Sequence, residues 1–194
     1  MKKKKGIFCL EGLWERKMSD KSSVMPILEV LERRDKINYI HQNCATIEEF
    51  EFFLKKWKTK EVSDKYPILY FAYHGNEDGL IINLTPRIVY PLKKLGEFLE
   101  DSCHRKVLFF ASCETMGAHG LKIRNFLRKI DAIAVIGFRV TVDWIPATAF
   151  ELLVLNELQQ RSFSKRGMRS ISNKINEEYG KLKTSLGFRF EIND

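Results

Sequence analysis

The sequence contains no apolar run approaching the roughly 20 residues that a membrane-spanning helix needs, so no transmembrane anchor is expected and the chain reads as soluble. Its four cysteines, Cys9, Cys44, Cys103 and Cys113, show no CxxC spacing. That counts against a disulfide framework and against a zinc ribbon. There is no glycine-rich phosphate loop, which weakens a flavodoxin-like small-ligand binder. Neither an RNP-type aromatic pattern nor zinc-finger spacing accompanies the basic residues, and no internal repeat or low-complexity segment interrupts the chain. The basic MKKKK at the start is followed only by the short apolar stretch Gly6 to Leu10, broken by Glu11. This is too little for a signal peptide. A cytoplasmic location with reduced thiols is the expectation.

What the chain does have is enough mass for a continuous core. With 194 residues it suits one domain, residues 1–194, with residues 1–5 as a basic tail. The formal charge of +8 comes from 33 basic and 25 acidic residues. The excess gathers in the N-terminal lysines and between Arg161 and Arg189. Such a surface can attract nucleic acid, but without a recognition motif a solvated face and a frayed tail account for it, and nucleic acid is not the expected partner.

Apolar runs and helical stripes alternate along the chain. GIFCL (6–10), PILYFAY (67–73), KVLFFAS (106–112) and AIAVIGF (132–138) are continuous, as expected of strands covered on both faces. KINYIHQ (36–42) alternates. Residues 80–82 and 87–90 predict a small hairpin around Thr85 and Pro86. Helical spacing marks 25–34, 91–101, 117–130, 147–159 and 168–179, the last with Gly180 as its stop. Thr46 and Glu49 form a capping box that opens a helix to about Trp57. SLGFRFEI (185–192) supplies a final strand. The pattern predicts an α/β fold, a three-layer α/β/α sandwich around a largely parallel sheet, in which chemistry gathers at the carboxyl ends of the strands.

Two strands end on reactive residues. YPILYFAYHGNEDG (66–79) brings His74 and Gly75 to a strand end, and KVLFFASCETMG (106–117) does the same for Cys113. If the strands are parallel neighbours, the imidazole and the thiol meet at one edge. A histidine there can take the thiol proton and later protonate a leaving amine. The backbone amides of Gly75 and Cys113 are candidate oxyanion donors, with glycine leaving the approach open. Ser112 is small enough to leave room beside the nucleophile.

The pair LYFAYHG and VLFFASC resembles the motif of the caspase-like cysteine peptidases of clan CD, which include caspases, metacaspases, separases, gingipains and CHAT-type domains. That family ends one hydrophobic block in His-Gly and a second in a small residue and Cys. DGLIIN and VYPLKKLGEFLED resemble its intervening hairpin and helix, and AIAVIGFRVTVDWIPATAF (132–150) is similar to the strand, loop and helix that follow the cysteine in CHAT-type domains. The resemblance spans roughly Gly6 to Leu155. It implies a caspase-like fold and a His74–Cys113 dyad without metal or other cofactor, acting on a protein or peptide substrate under the control of a regulatory protein partner. The motif departs where caspases carry Q-A-C-[RQG]-G, since this chain reads A-S-C-E-T. Ala111 stands where caspases and metacaspases place specificity residues, so neither preference is implied.

The function expected is therefore a cysteine endopeptidase. The alternative is a catalytically silent caspase-like interaction module whose basic C-terminal face binds a protein or nucleic-acid partner. Glu11, Asp143, Trp144 and Ser112 are the candidates for substrate binding, the two carboxylates as partners for a basic side chain. His119, six residues after Cys113, rivals His74 as its partner. A zinc cluster of Cys103, His104, Cys113 and His119 fits no common ligand spacing. Trp14 and Trp57 read as packing residues.

Overall fold

The computed structural model describes residues 4–17 and 19–193, so Met1 to Lys3 of the basic tail lie outside the described residues. Lys4 and Lys5 are not frayed. Lys4 pairs with Asp35 at 3.9 Å, and the Lys5 ammonium donates to the carbonyls of Leu158 and Gln159.

The continuous apolar runs form the middle of a six-stranded sheet. β1 (Ile7–Glu11) lies between β2 (Tyr39–Asn43) and β3 (Ile68–Ala72), and β7 (Val107–Ala111) and β8 (Ala134–Phe138) extend the sheet beyond β3. All five are parallel; β9 (Phe188–Ile192) closes the far edge antiparallel to β8. A second, small antiparallel sheet is made of β4 (His74–Asn76), β5 (Gly79–Leu84) and β6 (Arg87–Pro91). The expected hairpin thus has a third strand, which begins at His74.

Side chains alternate across the central strands. Ile68, Tyr70 and Ala72 face one core, with Val107, Phe109 and Ala111 beside them. That core is covered by α1 (Met25–Asp35), α6 (Trp144–Glu157) and α7 (Lys165–Ser185). Leu69, Phe71, Leu108 and Phe110 face the other, covered by α2 (Ile47–Trp57), the short α3 (Lys60–Lys65), α4 (Leu92–Phe98) and α5 (Gly120–Lys129). Helices on both faces make the expected three layers.

Helix boundaries follow local chemistry. The Thr46 hydroxyl accepts from the Glu49 N–H, and the Glu49 carboxylate accepts from the Thr46 N–H, closing the capping box that starts α2. Gly180 does not end the last helix, as the sequence predicts. A glycine inside a helix costs only about 1 kcal/mol, and Leu182 beyond it packs on the core. The chain bends at Tyr179 (φ −127°) and continues to Ser185, with the stop supplied by Gly187 at φ +57°. Among the described residues no helix is long and apolar enough to cross a membrane.

Candidate active site

β3 and β7 are hydrogen-bonded parallel neighbours, with Ala72 opposite Ala111. Two residues past each alanine stand His74 and Cys113. The alanines matter because they face the α1 and α6 side of the sheet, where bulkier residues such as Ile68, Tyr70 and Phe109 fill the space nearer the sheet centre. Ala111 lines a hollow at the strand tips.

The loop after β1 fixes His74. Its Nε2 lies 2.7 Å from the Trp14 carbonyl oxygen. A carbonyl only accepts, so Nε2 carries the proton and Nδ1 is left as the basic nitrogen. The Trp14 indole meets the imidazole edge-on, with centroids 5.3 Å apart, and meets Trp144 edge-on at 4.5 Å. Its own N–H donates to the Glu11 carboxylate at 2.6 Å. Trp14 is thus more than packing, because its backbone orients the imidazole.

Cys113 is half-buried. Burial pushes its thiol pKa up, and the nearby Glu114 and Glu151 carboxylates add to this, while hydrogen bonding to the backbone of Val142 and of Cys113 itself acts the other way. The net direction is upward, so the resting group is a thiol and needs a base. The loop carrying it is tightly wound. Glu114 sits at φ +60°, an unusual conformation for a residue with a side chain. The Thr115 N–H donates to the Cys113 carbonyl at 2.7 Å, the Ser112 hydroxyl to Thr115 at 2.8 Å, and the Thr141 hydroxyl to Glu114 at 2.9 Å. Gly75 lies directly against this loop. A Cβ there would stand 2.7 Å from the Cys113 carbonyl oxygen and 3.0 Å from the Ser112 Cβ. Close approach requires the glycine.

Two hollows flank the pair. The deeper, a cavity of about 260 Å³, is lined by Trp14, Val24, Phe138, Trp144 and Ala147, with Glu151 among them. The shallower, of about 340 Å³, is lined by Arg16, Gly75, Arg87, Glu114 and Thr141. Among the described residues, His74 and Cys113 alone line both. A chain lying across the two hollows would pass over the imidazole and the sulfur. The sequence from residue 4 to residue 191 matches the model described as Family of unknown function (DUF6642). The chain belongs to that family. The DUF6642 match runs from before β1 into β9, so every site residue named here falls inside it. No curated protein matches the sequence.

Of the four substrate-binding candidates, Trp144 and Ser112 line the deeper cavity, although the Ser112 hydroxyl is engaged with Thr115. Glu11 and Asp143 do not line it. Glu11 is 1% exposed, and its oxygens accept from Trp14, Ser23 and the Val24 N–H and pair with His41 at 2.5 Å. Burial alone would raise its pKa, but the hydrogen bonds from His41, Ser23, Trp14 and Val24 prevail and hold it below the usual carboxylate range. It anchors the loop after β1 and has no face for a substrate. Asp143 is exposed at the start of α6.

Two carboxyl groups line the cavity, the exposed Glu15 and the buried Glu151, and the second lies within what reads in sequence as an apolar helix. One signal pointed to it: Glu151 is the only charged residue from Trp144 to Asn156. A lone charge in such a run must find a partner or a purpose. His119 accepts from the Leu121 N–H at the start of α5, and His104 pairs with Asp131 at 2.9 Å. Cys103 is buried. Among the described residues no group of three or more His, Cys, Asp or Glu side chains could hold a metal ion.

Proposed function

We propose that the protein is a cysteine endopeptidase in which Cys113 is the nucleophile and His74 the acid and base. The observation that carries this reading is the junction: the two residues common to both hollows, among the described residues, are a thiol and an imidazole whose protonated nitrogen is already committed to the Trp14 carbonyl. Nδ1 takes the Cys113 proton as sulfur attacks the peptide carbonyl carbon. The oxyanion forms beside the backbone amides of Gly75 and Cys113. The C–N bond then breaks, the imidazolium gives its proton to the departing amine, and a thioester remains on Cys113. Water, deprotonated by the same nitrogen, attacks the thioester, and the proton returns to the thiol as the acid leaves. No cofactor is called for.

The likeness of LYFAYHG and VLFFASC to the caspase-like motif supports the same reading, as does the order of hairpin and helix between them. The raised pKa of Cys113 favours a second reading, the silent module that uses this cleft or the basic α7 face to hold a partner protein. Incubating the intact chain with a peptide library and mapping cleaved bonds by mass spectrometry separates them. The peptidase reading expects cuts that vanish in Cys113→Ala; cuts that persist in that variant overturn it. The compartment expected for the reaction is the cytoplasm.

A further inference from the structure

Glu151 is 4% exposed. One oxygen accepts from the Tyr70 hydroxyl at 2.5 Å; the other has no hydrogen-bond partner among the described residues, and the side chain lines the deeper cavity. That oxygen is not sealed in the interior, so a group entering the hollow can reach it. The rest of the lining says what would satisfy it. It contains two carboxyl groups, Glu15 near the mouth and Glu151, and no lysine or arginine, in a chain with 33 basic residues and a charge of +8. The walls are Trp14, Phe138 and Trp144, with Ala147.

We infer that the deeper cavity is the specificity pocket of the enzyme and takes the side chain of a lysine or arginine, with Glu151 as the residue that selects it. The aliphatic stem would run along the aromatic walls and the cationic head would meet the free oxygen. The inference rests on the peptidase reading for what carries the side chain, not for the binding itself. Glu151 lies on α6, reached through the space that Ala111 leaves at the β7 tip. A larger residue at position 111 would intrude on it.

Ionisation of Glu151 supports the geometry. Burial raises its pKa to about 8, the Glu11 carboxylate adds to the rise, and the Tyr70 hydrogen bond opposes it. The titratable groups that face it are Tyr70 on β3, Cys9 and Glu11 on β1, and Cys113, with Glu15 and His74 lining the same cavity. At neutral pH the empty pocket holds a neutral acid. Entry of a cation restores the charge and expels the proton.

The test uses the full chain carrying Cys113→Ala, so that nothing is cleaved, and capped tripeptide amides ending in arginine, lysine, glutamine or norleucine. Titration calorimetry should give the arginine and lysine peptides at least about tenfold tighter binding than the other two. Glu151→Gln, which keeps an acceptor for Tyr70, should remove that advantage. Without any change at Glu151, calorimetry at pH 7 in buffers of different ionisation enthalpy should report release of close to one proton with the arginine peptide and none with norleucine. Equal binding of all four peptides, a preference for glutamine, or an arginine preference unchanged in Glu151→Gln overturns the inference. Failure of peptide acyloxymethyl ketones to label wild-type Cys113, with the arginine preference intact, overturns only the peptidase reading.

Discussion

His74 and Cys113 each stand two residues beyond a register pair, Ala72 on β3 and Ala111 on β7. Parallel strands keep their register and side chains repeat every two residues. The register brings both residues to one edge of the sheet, where the imidazole and the thiol line the same two hollows.

Removing either member should abolish turnover without unfolding the chain. Cys113→Ala should lower cleavage at least about a thousandfold, and His74→Ala by about a hundredfold or more. Both positions are half-buried at strand tips, so stability should stay within about 1 kcal/mol of wild type. Thermal unfolding followed by circular dichroism, beside peptide cleavage rates, checks both halves.

Gly75 should tolerate no side chain. Alanine there would press on the Cys113 carbonyl oxygen and the Ser112 side chain, shifting the loop that presents the sulfur. The expected cost is about 1–3 kcal/mol, with a fall in kcat larger than the change in KM. Denaturant unfolding and steady-state kinetics of Gly75→Ala measure the two effects.

Glu11 should behave as an anchor and not as a specificity residue. Glu11→Gln sets an NH2 donor against one of the two pairs of groups that converge on the carboxylate, Trp14 with Val24 or Ser23 with His41, and should destabilise by about 3–5 kcal/mol, while the order of substrate preference stays unchanged. Because the folded-state pKa is depressed, the stabilisation is present above the ordinary carboxylate pKa and is lost as pH falls through the lower folded value. The gap in Tm between wild type and Glu11→Gln should narrow as pH is lowered from 6 towards 3.

Glu151 has the opposite sign. Its folded-state pKa of about 8 lies above the ordinary value of 4.5, so its contribution is fully present below about pH 4.5 and is lost as pH rises through 8. Each unit of that interval is worth about 1.4 kcal/mol. Relative to wild type, Glu151→Gln should gain stability, by a few kcal/mol in all, as pH is raised from 5 to 8.5. Tm of the two proteins across that range checks the slope; parallel curves would contradict it.

The sheet was legible in the sequence because strands buried on both faces have to be apolar without interruption. PILYFAY, KVLFFAS and AIAVIGF became β3, β7 and β8 within a residue or two. The capping box at Thr46 marked the start of α2 because two side chains name that end. Gly180 misled, since a glycine reads as a stop wherever a helix pattern fades, and only tertiary packing of Leu182 says otherwise. The pairing of β3 with β7 was a condition that the sequence permits without requiring, and the Ala72–Ala111 register meets it. The orientation of His74 was not legible, because it depends on a backbone carbonyl, and every residue has one. Glu11 looked like a site residue by its place after β1, but Ser23, Trp14, Val24 and His41 converge on it only in the fold. Glu151 was hidden for the converse reason: it sits in the middle of a helix, nearly forty residues after Cys113, and enters the cleft from the layer above the sheet.

The central claim is that His74 activates Cys113 towards a peptide carbonyl, and covalent capture tests it most directly. The chain is treated with a peptidyl acyloxymethyl ketone carrying arginine next to the reactive group, and each of the four cysteines is examined by tandem mass spectrometry. The account predicts a thioether on Cys113 alone, lost in His74→Ala; an unlabelled Cys113, or equal labelling in the His74→Ala chain, would contradict it.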